Sequence, residues 1–434
     1  MKNTIKKLVS FILVLATLMT LALPFATIGA SAASADTAAS AGISKIAVNT
    51  SQSFYTVKNT ATLRSSTSFI HFKLATLNKG ALIQTSGSSG DFYKVKLNMD
   101  NKASTYYIKK SELKTAPKTS NATFCYTVKS APLRQAPCDN GTKISTVSKG
   151  TVLPVIGTLK NNHDNSWLMI LTDAGKVAYI YSGNVKTTSK ITLTVSGSGF
   201  IKTGASAQFK CTVSPSGITG IKWSSSNTSL ATVNSSGTVT PKAGGDVKIT
   251  ASLPGIVSAT VNTNITLGVA AYFQTKNYTC SAASSKAVLS YLGKAGNLKD
   301  TDLYSSINGY VYKIKDTLNK YLGSGTYCWN TFTSIDAYEQ AIRGSLAQNS
   351  PVIVRIAFDN EYFSYSSNGH YSTVVGIYEK DGQVWVRLVD SFVNRYKSTT
   401  YSNSITGEVE MPISKLFYYN SYQGRDVRYV IYNP

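Results

Sequence analysis

Gln274-Thr-Lys-Asn-Tyr-Thr-Cys280-Ser-Ala-Ala-Ser-Ser-Lys-Ala-Val-Leu-Ser-Tyr-Leu-Gly293 is the stretch on which the C-terminal fold turns. Residues 281–292 read as a helix, with Ala283, Ala287, Val288 and Leu292 on one face and Gly293 as the stop. Thr279 is the expected N-cap, which puts Cys280 at the first helical position. The unsatisfied N–H groups of a helix N-terminus favour an anion, so a thiol there loses its proton more readily. The backbone N–H of Cys280 and the side-chain amide of Gln274 are candidates to stabilise a tetrahedral oxyanion.

A nucleophile of this kind needs a base. The chain holds three histidines, and only His370 follows Cys280. It opens the strand-like run His370-Tyr-Ser-Thr-Val-Val-Gly-Ile-Tyr378, and a second run, Gln383 to Val389, ends at Asp390. The turn Glu379-Lys-Asp-Gly382 joins them as a hairpin. A two-residue loop would pair Lys380 with Gln383, set Asp390 opposite Thr373 and turn it away from His370. A three-residue loop with Gly382 at a left-handed bulge pairs Glu379 with Gln383 instead. Phe392 then opposes His370, and Asp390 becomes its diagonal neighbour on the same face, roughly 7–8 Å away between Cα atoms. The three-residue loop is the expectation. Cys280, His370 and Asp390 then supply a nucleophile, a base and an orienting carboxylate, with Asn394 as a weaker orienter.

These residues carry a resemblance. Gln274-x5-Cys280-Ser-Ala-Ala283 with Val288-Leu289-Ser-Tyr-Leu-Gly293 is similar to the peptidase C39-like families, relatives of bacteriocin-processing peptidases. Pro351-Val-Ile-Val354, after an amphipathic segment from Ile335 to Leu346, resembles their central strand. Gly369-His370-Tyr371-Ser-Thr-Val-Val-Gly376 resembles their Gly-His motif, and the Asp390 segment their Asp-Pro. The resemblance implies a papain-like α+β domain over 268–434. There, a Cys280–His370 thiolate–imidazolium pair would be oriented by Asp390. Ser281-Ala282 stands where the family has Gly-Pro, and Ser391 where Pro is common. Neither departure removes a catalytic atom. Cys328 lacks a preceding Gln and a helix start and reads as structural, although a Cys280–Cys328 disulfide would block the site reversibly.

The 434 residues exceed one core, and length predicts about three domains. A hydrophobic content of 42% excludes global disorder, while 15% charged residues and 27 Tyr favour β-rich extracellular modules. Five cysteines, an odd number, argue against a disulfide scaffold. Lys2, Lys6 and Lys7 precede an apolar run from Leu8 to about Ala22 and the small residues Gly29-Ala-Ser-Ala32. Residues 1–32 therefore read as a secretory signal peptide rather than a membrane anchor, and 33–50 as a flexible linker. No later run reaches the length of a transmembrane helix.

Two stretches then repeat. Tyr55-Thr-Val-Lys58, Leu63-Arg64, Lys79-Gly80, Tyr93-Lys-Val95 and Tyr107-Ile108 recur as Tyr126-Thr-Val-Lys129, Leu133-Arg134, Lys149-Gly150, Trp167-Leu-Met169 and Tyr179-Ile180. The order resembles bacterial SH3-like domains, small all-β barrels, at 51–116 and 122–188. Membership in that family implies wall-peptide binding. A third module, 189–267, carries Trp223-Ser-Ser-Ser-Asn227 and Ala231-Thr-Val233 and resembles a group 2 bacterial Ig-like β-sandwich. It reads as a spacer with Trp223 in its core and Cys211 as a buried thiol.

Residues 33–267 hold 25 basic and 8 acidic side chains, against 16 and 13 from 268 onward, so the basic field belongs to the modules. An anionic cell wall is the expected partner, since no nucleic-acid motif appears. No metal-ligand spacing or dinucleotide fingerprint appears either, so no cofactor is expected. The leading expectation is a secreted cysteine peptidase acting on a peptide or protein. A peptidoglycan amidase or endopeptidase using the same pair, and a non-catalytic wall-binding protein with a degenerate domain, stay open beside it.

Overall fold

The computed structural model describes residues 36–43, 45–47, 54–116, 119–121, 123–172, 174–356, 369–392, 402–403, 407–420 and 428–434. The expected signal segment 1–32 and Asn394 lie outside the described residues. No helix among the described residues is long and apolar enough to cross a membrane.

The C-terminal domain is α+β. Its elements are α1 (Cys280–Tyr291), α2 (Asp300–Ile307), α3 (Val311–Leu322), β1 (Cys328–Phe332), α4 (Ile335–Ala347), β2 (Val352–Ile356), β3 (His370–Lys380), β4 (Gln383–Val389), β5 (Ser402–Asn403), β6 (Glu408–Pro412), α5 (Ile413–Tyr419) and β7 (Arg428–Tyr432). The strands form one antiparallel sheet in the order β1-β7-β2-β3-β4-β6-β5. Side chains alternate along a strand, so β2 sends Val352, Val354 and Ile356 to one face and Ile353 to the other. Tyr338, Ile342 and Leu346 of α4 cover the first face. Val288 of α1, Leu303 of α2 and Leu318 of α3 cover the second. Helix α1 is buried all round from Cys280 to Leu289, not on the single face its periodicity suggested. Its Ser and Ala side chains are small enough for the sheet and two helices to close on it together.

The β3–β4 hairpin corrects the expected register. Lys380 pairs with Gln383, so the loop has two residues, Asp381 (φ 51°) and Gly382 (φ 73°). Positive φ at both central positions is what a type I′ turn requires. The extra residue sits further along as a β-bulge at Val375, between the pairs Val374–Leu388 and Gly376–Arg387. Beyond the bulge Thr373 pairs with Val389, and continuing that register sets Ser372 opposite Asp390 and His370 opposite Phe392.

The repeat is also in the structure. Ala61 to Arg64 pair with Leu77 to Lys73 through one bulge, and Ala131 to Arg134 pair with Val147 to Lys143 through the same bulge. The copies do not stand apart, although the second keeps a core of its own around Leu133, Ile170 and Ile180. Leu159, Lys160 and Asn161 pair with Leu77, Thr76 and Ala75, which joins both copies in a twelve-stranded sheet. Leu77 and Ile108 of one copy and Leu159 and Met169 of the other share a core. Leu159→Ala should therefore cost about 2–5 kcal/mol and shift one common unfolding transition. Calorimetry resolving two transitions, only one of them moved, would contradict the shared core.

Residues 191–267 build the sandwich, with Leu193, Val195, Phe209, Ile249 and Val261 inside. Trp223 is half-buried against this core, and Cys211 is half-buried rather than buried. The expected linker is also corrected: Asp36–Ile43 pairs antiparallel with Ile191–Ser198, and Lys45–Ala47 with Thr119–Asn121. An open sheet edge offers a row of backbone donors and acceptors, which even a small polar segment can satisfy.

Nor does the sandwich stand off from the C-terminal domain as a loose spacer. Leu267 N–H donates to Val375 O at 2.7 Å, and Asn264 Nδ2 donates to Ile377 O at 2.6 Å. Gly244 N–H donates to Leu346 O at 2.8 Å, and Arg343 pairs with Asp246 at 3.2 Å.

Candidate active site

Helix α1 starts at Cys280 with Thr279 in the N-cap position, yet no side chain caps it. The Thr279 hydroxyl instead donates to Asp300 Oδ2 at 2.7 Å. Asp300, buried at the start of α2, also accepts the Thr275 N–H at 2.8 Å and the Thr275 hydroxyl at 3.0 Å. This hub fixes the Gln274–Cys280 loop against α2. Burial opposes the Asp300 charge, but these donors outweigh it and hold its carboxyl below the usual range. A depressed carboxylate contributes stability above its unfolded value of about 4 and loses it as pH falls through the lower folded value. Asp300→Asn should thus lower stability by about 2 kcal/mol at neutral pH, with the gap to wild type closing in acid. Thermal melts across that range check it, and a constant gap would exclude the charge as the cause.

His370 opens β3 and is 1% exposed; Asp390 follows β4 and is also 1% exposed. His370 Nε2–H donates to Asp390 Oδ2 at 2.7 Å. Ser372, two residues along the same face, donates its hydroxyl to the same oxygen. Phe392 N–H donates to Asp390 Oδ1 at 2.9 Å, and the Phe392 ring stacks on His370 at 5.1 Å between centroids. Gly407 O accepts the Asp390 N–H at 2.7 Å.

Since Nε2 faces Asp390, the hydrogen bond between His370 and Cys280 uses the other ring nitrogen, Nδ1. Burial works to lower the His370 pKa, but the charge and hydrogen bond of Asp390 and the Cys280 thiol push it up to about 10. Burial likewise works to raise the Cys280 pKa. The His370 hydrogen bond and charge, with the Tyr371 N–H, carry it below the ordinary thiol value. Cys125 shows burial acting with no charged partner: its thiol is pushed up to about 12. All five cysteines, Cys280 and Cys328 included, are free thiols.

Gln274 lies beside Asp390 rather than standing alone over the thiol. Its N–H donates to Ser391 O at 2.9 Å, and its Oε1 accepts the Ser391 hydroxyl at 2.7 Å. One Nε2–H donates to Lys276 O at 2.7 Å, which leaves the second amide hydrogen. Ser391, where the family has Pro, is what holds this glutamine. Ser281, the other departure, buries a hydroxyl with no partner among the described residues. Sequence reasoning missed Asp300, Ser372 and the Tyr371 N–H. Ser372 was legible in principle, two residues from His370 on one strand face. Asp300 carries no sequence signal, because its partners lie 21 to 25 residues away.

Residues 266–411 match the family model described as Peptidase_C39 like family. That match falls almost wholly within the C-terminal domain, which is similar to that family. Residues 187–254 match the bacterial Ig-like domain (group 2). No curated protein matches the chain. Among solved structures, "The crystal structure of Ly7917" is 12% identical, covering 30% of this chain and 64% of that one, with a TM-score of 0.14. The chain thus spans under two thirds of that protein. NlpC2 from Trichomonas vaginalis is 11% identical over 79% of this chain and 94% of its own, TM-score 0.16. An NlpC/P60 endopeptidase from Photobacterium damselae subsp. piscicida is 10% identical over 71% and 72%, TM-score 0.14. At these scores the three structures carry no argument about the chain. The C39-like domain rests on its own residues.

Proposed function

We propose that the C39-like domain is a cysteine peptidase in which Cys280 attacks a peptide carbonyl. His370 takes the thiol proton and delivers it to the leaving amine, and Asp390 holds the imidazole with Nδ1 toward the sulfur. The developing oxyanion would accept hydrogen bonds from the Cys280 N–H and the free amide hydrogen of Gln274. The observation that carries this reading is the buried His370–Asp390 hydrogen bond of 2.7 Å with a lowered-pKa thiol on the opposite ring nitrogen. An isolated buried cysteine would move the other way, as Cys125 does.

The signal-like segment 1–32 would send the chain outside the cell, and the two SH3-like copies would bring the peptidase to an anionic wall. Their support is the repeated strand register and the excess of basic residues.

Alkylation rate mapped thiol by thiol tests the chemistry. Between about pH 5.5 and 8, where a free thiol with pKa near 8.5 is slow, Cys280 should react fastest and slow strongly in His370→Ala. Cys280 reacting no faster than Cys328 would remove the peptidase reading.

A further inference from the structure

In the first copy, the strand Lys73–Leu77 has neighbours on both edges: Ala61–Arg64 on one and Leu159–Asn161 on the other. Seventy residues on, its counterpart Lys143–Val147 pairs, among the described residues, with Ala131–Arg134 alone and ends the sheet; just before it, Met99 of the first copy bridges Gly141 and the Thr142 N–H donates to Asn98 O at 3.0 Å. Lys143, Ile144, Ser145 and Thr146 are exposed. One copy thus shows that this edge accepts an antiparallel strand, and the other leaves Ser145–Val147 without one among the described residues.

The first copy's own hairpin does not supply that strand. The spacing between copies is 70 residues at Leu82 and Val152 but 74 at Tyr93 and Trp167. The four extra residues lengthen the hairpin of Val152–Asn161 and Ser166–Leu171, and its far end is what reaches Ala75–Leu77. The first copy's hairpin, Gly87–Ser89 with Phe92–Met99, lacks the extension.

The open strand lines a cavity of about 1010 Å³ between the two copies and the Ig-like domain. Ile144 and Val147 face it together with Val95 and Ile256, and Asn98 Nδ2 donates to Gln135 Oε1 across the junction. Lys96 and Lys176 also line it, and no Asp or Glu does among the described residues. Apolar walls suit alternate side chains of an extended peptide, and two ammonium groups suit its carboxylates.

We propose that Ser145–Val147 takes an extended acidic peptide segment of another polypeptide as an added antiparallel strand. Backbone hydrogen bonds give the affinity, and the two lysines select for acidic side chains. This inference is independent of the chemistry at Cys280.

The probe is a fluorescein-labelled heptapeptide with the sequence Val155–Asn161, the strand that fills the first copy's edge, made as the parent and with Lys160→Glu. Fluorescence anisotropy with the full chain should show the Glu peptide at least tenfold tighter. Lys96→Glu with Lys176→Glu, which leaves the strand intact, should invert that preference. Thr146→Pro should weaken both peptides if its melting temperature is unchanged. The proposal is overturned if neither peptide binds, if the charge reversal leaves the preference unaltered, or if the chain self-associates through this edge and the peptides fail to compete.

Discussion

Cys280→Ala should abolish peptide hydrolysis, with a loss on the order of 10⁵–10⁶-fold in kcat, because no other group can form the acyl intermediate. The protein should still fold, since Ala fits the first turn of α1, where Ala282 and Ala283 are already buried. In the wild type Cys280 and His370 titrate as a pair, so kcat/KM should be bell-shaped. Its acid limb belongs to the Cys280 thiol, lowered from its ordinary value by His370 and the Tyr371 N–H against the effect of burial. Its alkaline limb falls where the imidazolium is lost, near the His370 value of about 10. The stability sign follows from the same shift. A histidine raised above its unfolded value of about 6.5 contributes fully below that pH and loses the contribution as pH rises through the folded value. Asp390→Asn removes the charge that raises His370, so the alkaline limb should move down and kcat drop by about 10²–10⁴-fold. Hydrolysis of a denatured protein substrate read by mass spectrometry measures all three. Cys280→Ala retaining more than about one-hundredth of wild-type turnover would rule out the nucleophile.

Gly376→Ala should reduce activity at least tenfold although it lies six residues from His370. An added Cβ would stand 2.5 Å from Thr266 Cγ2, so the strand and the Ig-like boundary must separate. That boundary supplies the Leu267 N–H to the carbonyl of the bulged Val375. Without it the bulge loses a partner, and the bulge-free register turns Asp390 toward Thr373 and away from His370. Overpacking of this kind costs about 1–3 kcal/mol. Thr266→Ala removes the clashing methyl and a buried hydroxyl that has no partner, so the double variant should recover most of the activity. Thermal melts and kcat/KM for the four proteins form a double-mutant cycle. Additive effects would show that Thr266 does not transmit the change.

Local chemistry made much of the site legible. Thr279-Cys280 announces a helix start, Asp381-Gly382 a tight turn, and the Gln, Cys, His and Asp spacing a papain-like order. The duplication was equally legible, because each copy repeats the same alternation and even the same bulge position. The reading of Gly382 failed in an instructive way. His370 and Asp390 share a face only if one extra residue enters the hairpin, and the residue count alone does not say where. Asp381 and Gly382 both accept positive φ, which favours the two-residue turn and drives the extra residue along the strand.

The sequence by itself thus determined that a thiol sits at a helix N-terminus, that a histidine and a carboxylate flank one hairpin, and that two β units repeat. These are short-range matters of capping, turn geometry and periodicity. Only the tertiary structure decided that the extra residue is Val375, whose carbonyl finds its donor in Leu267. It also decided that Asp300 anchors the Cys280 loop and that Leu159–Asn161 fuse the copies. Each depends on a backbone or buried polar group meeting a partner far along the chain, and an unmet buried partner costs more than any local preference supplies.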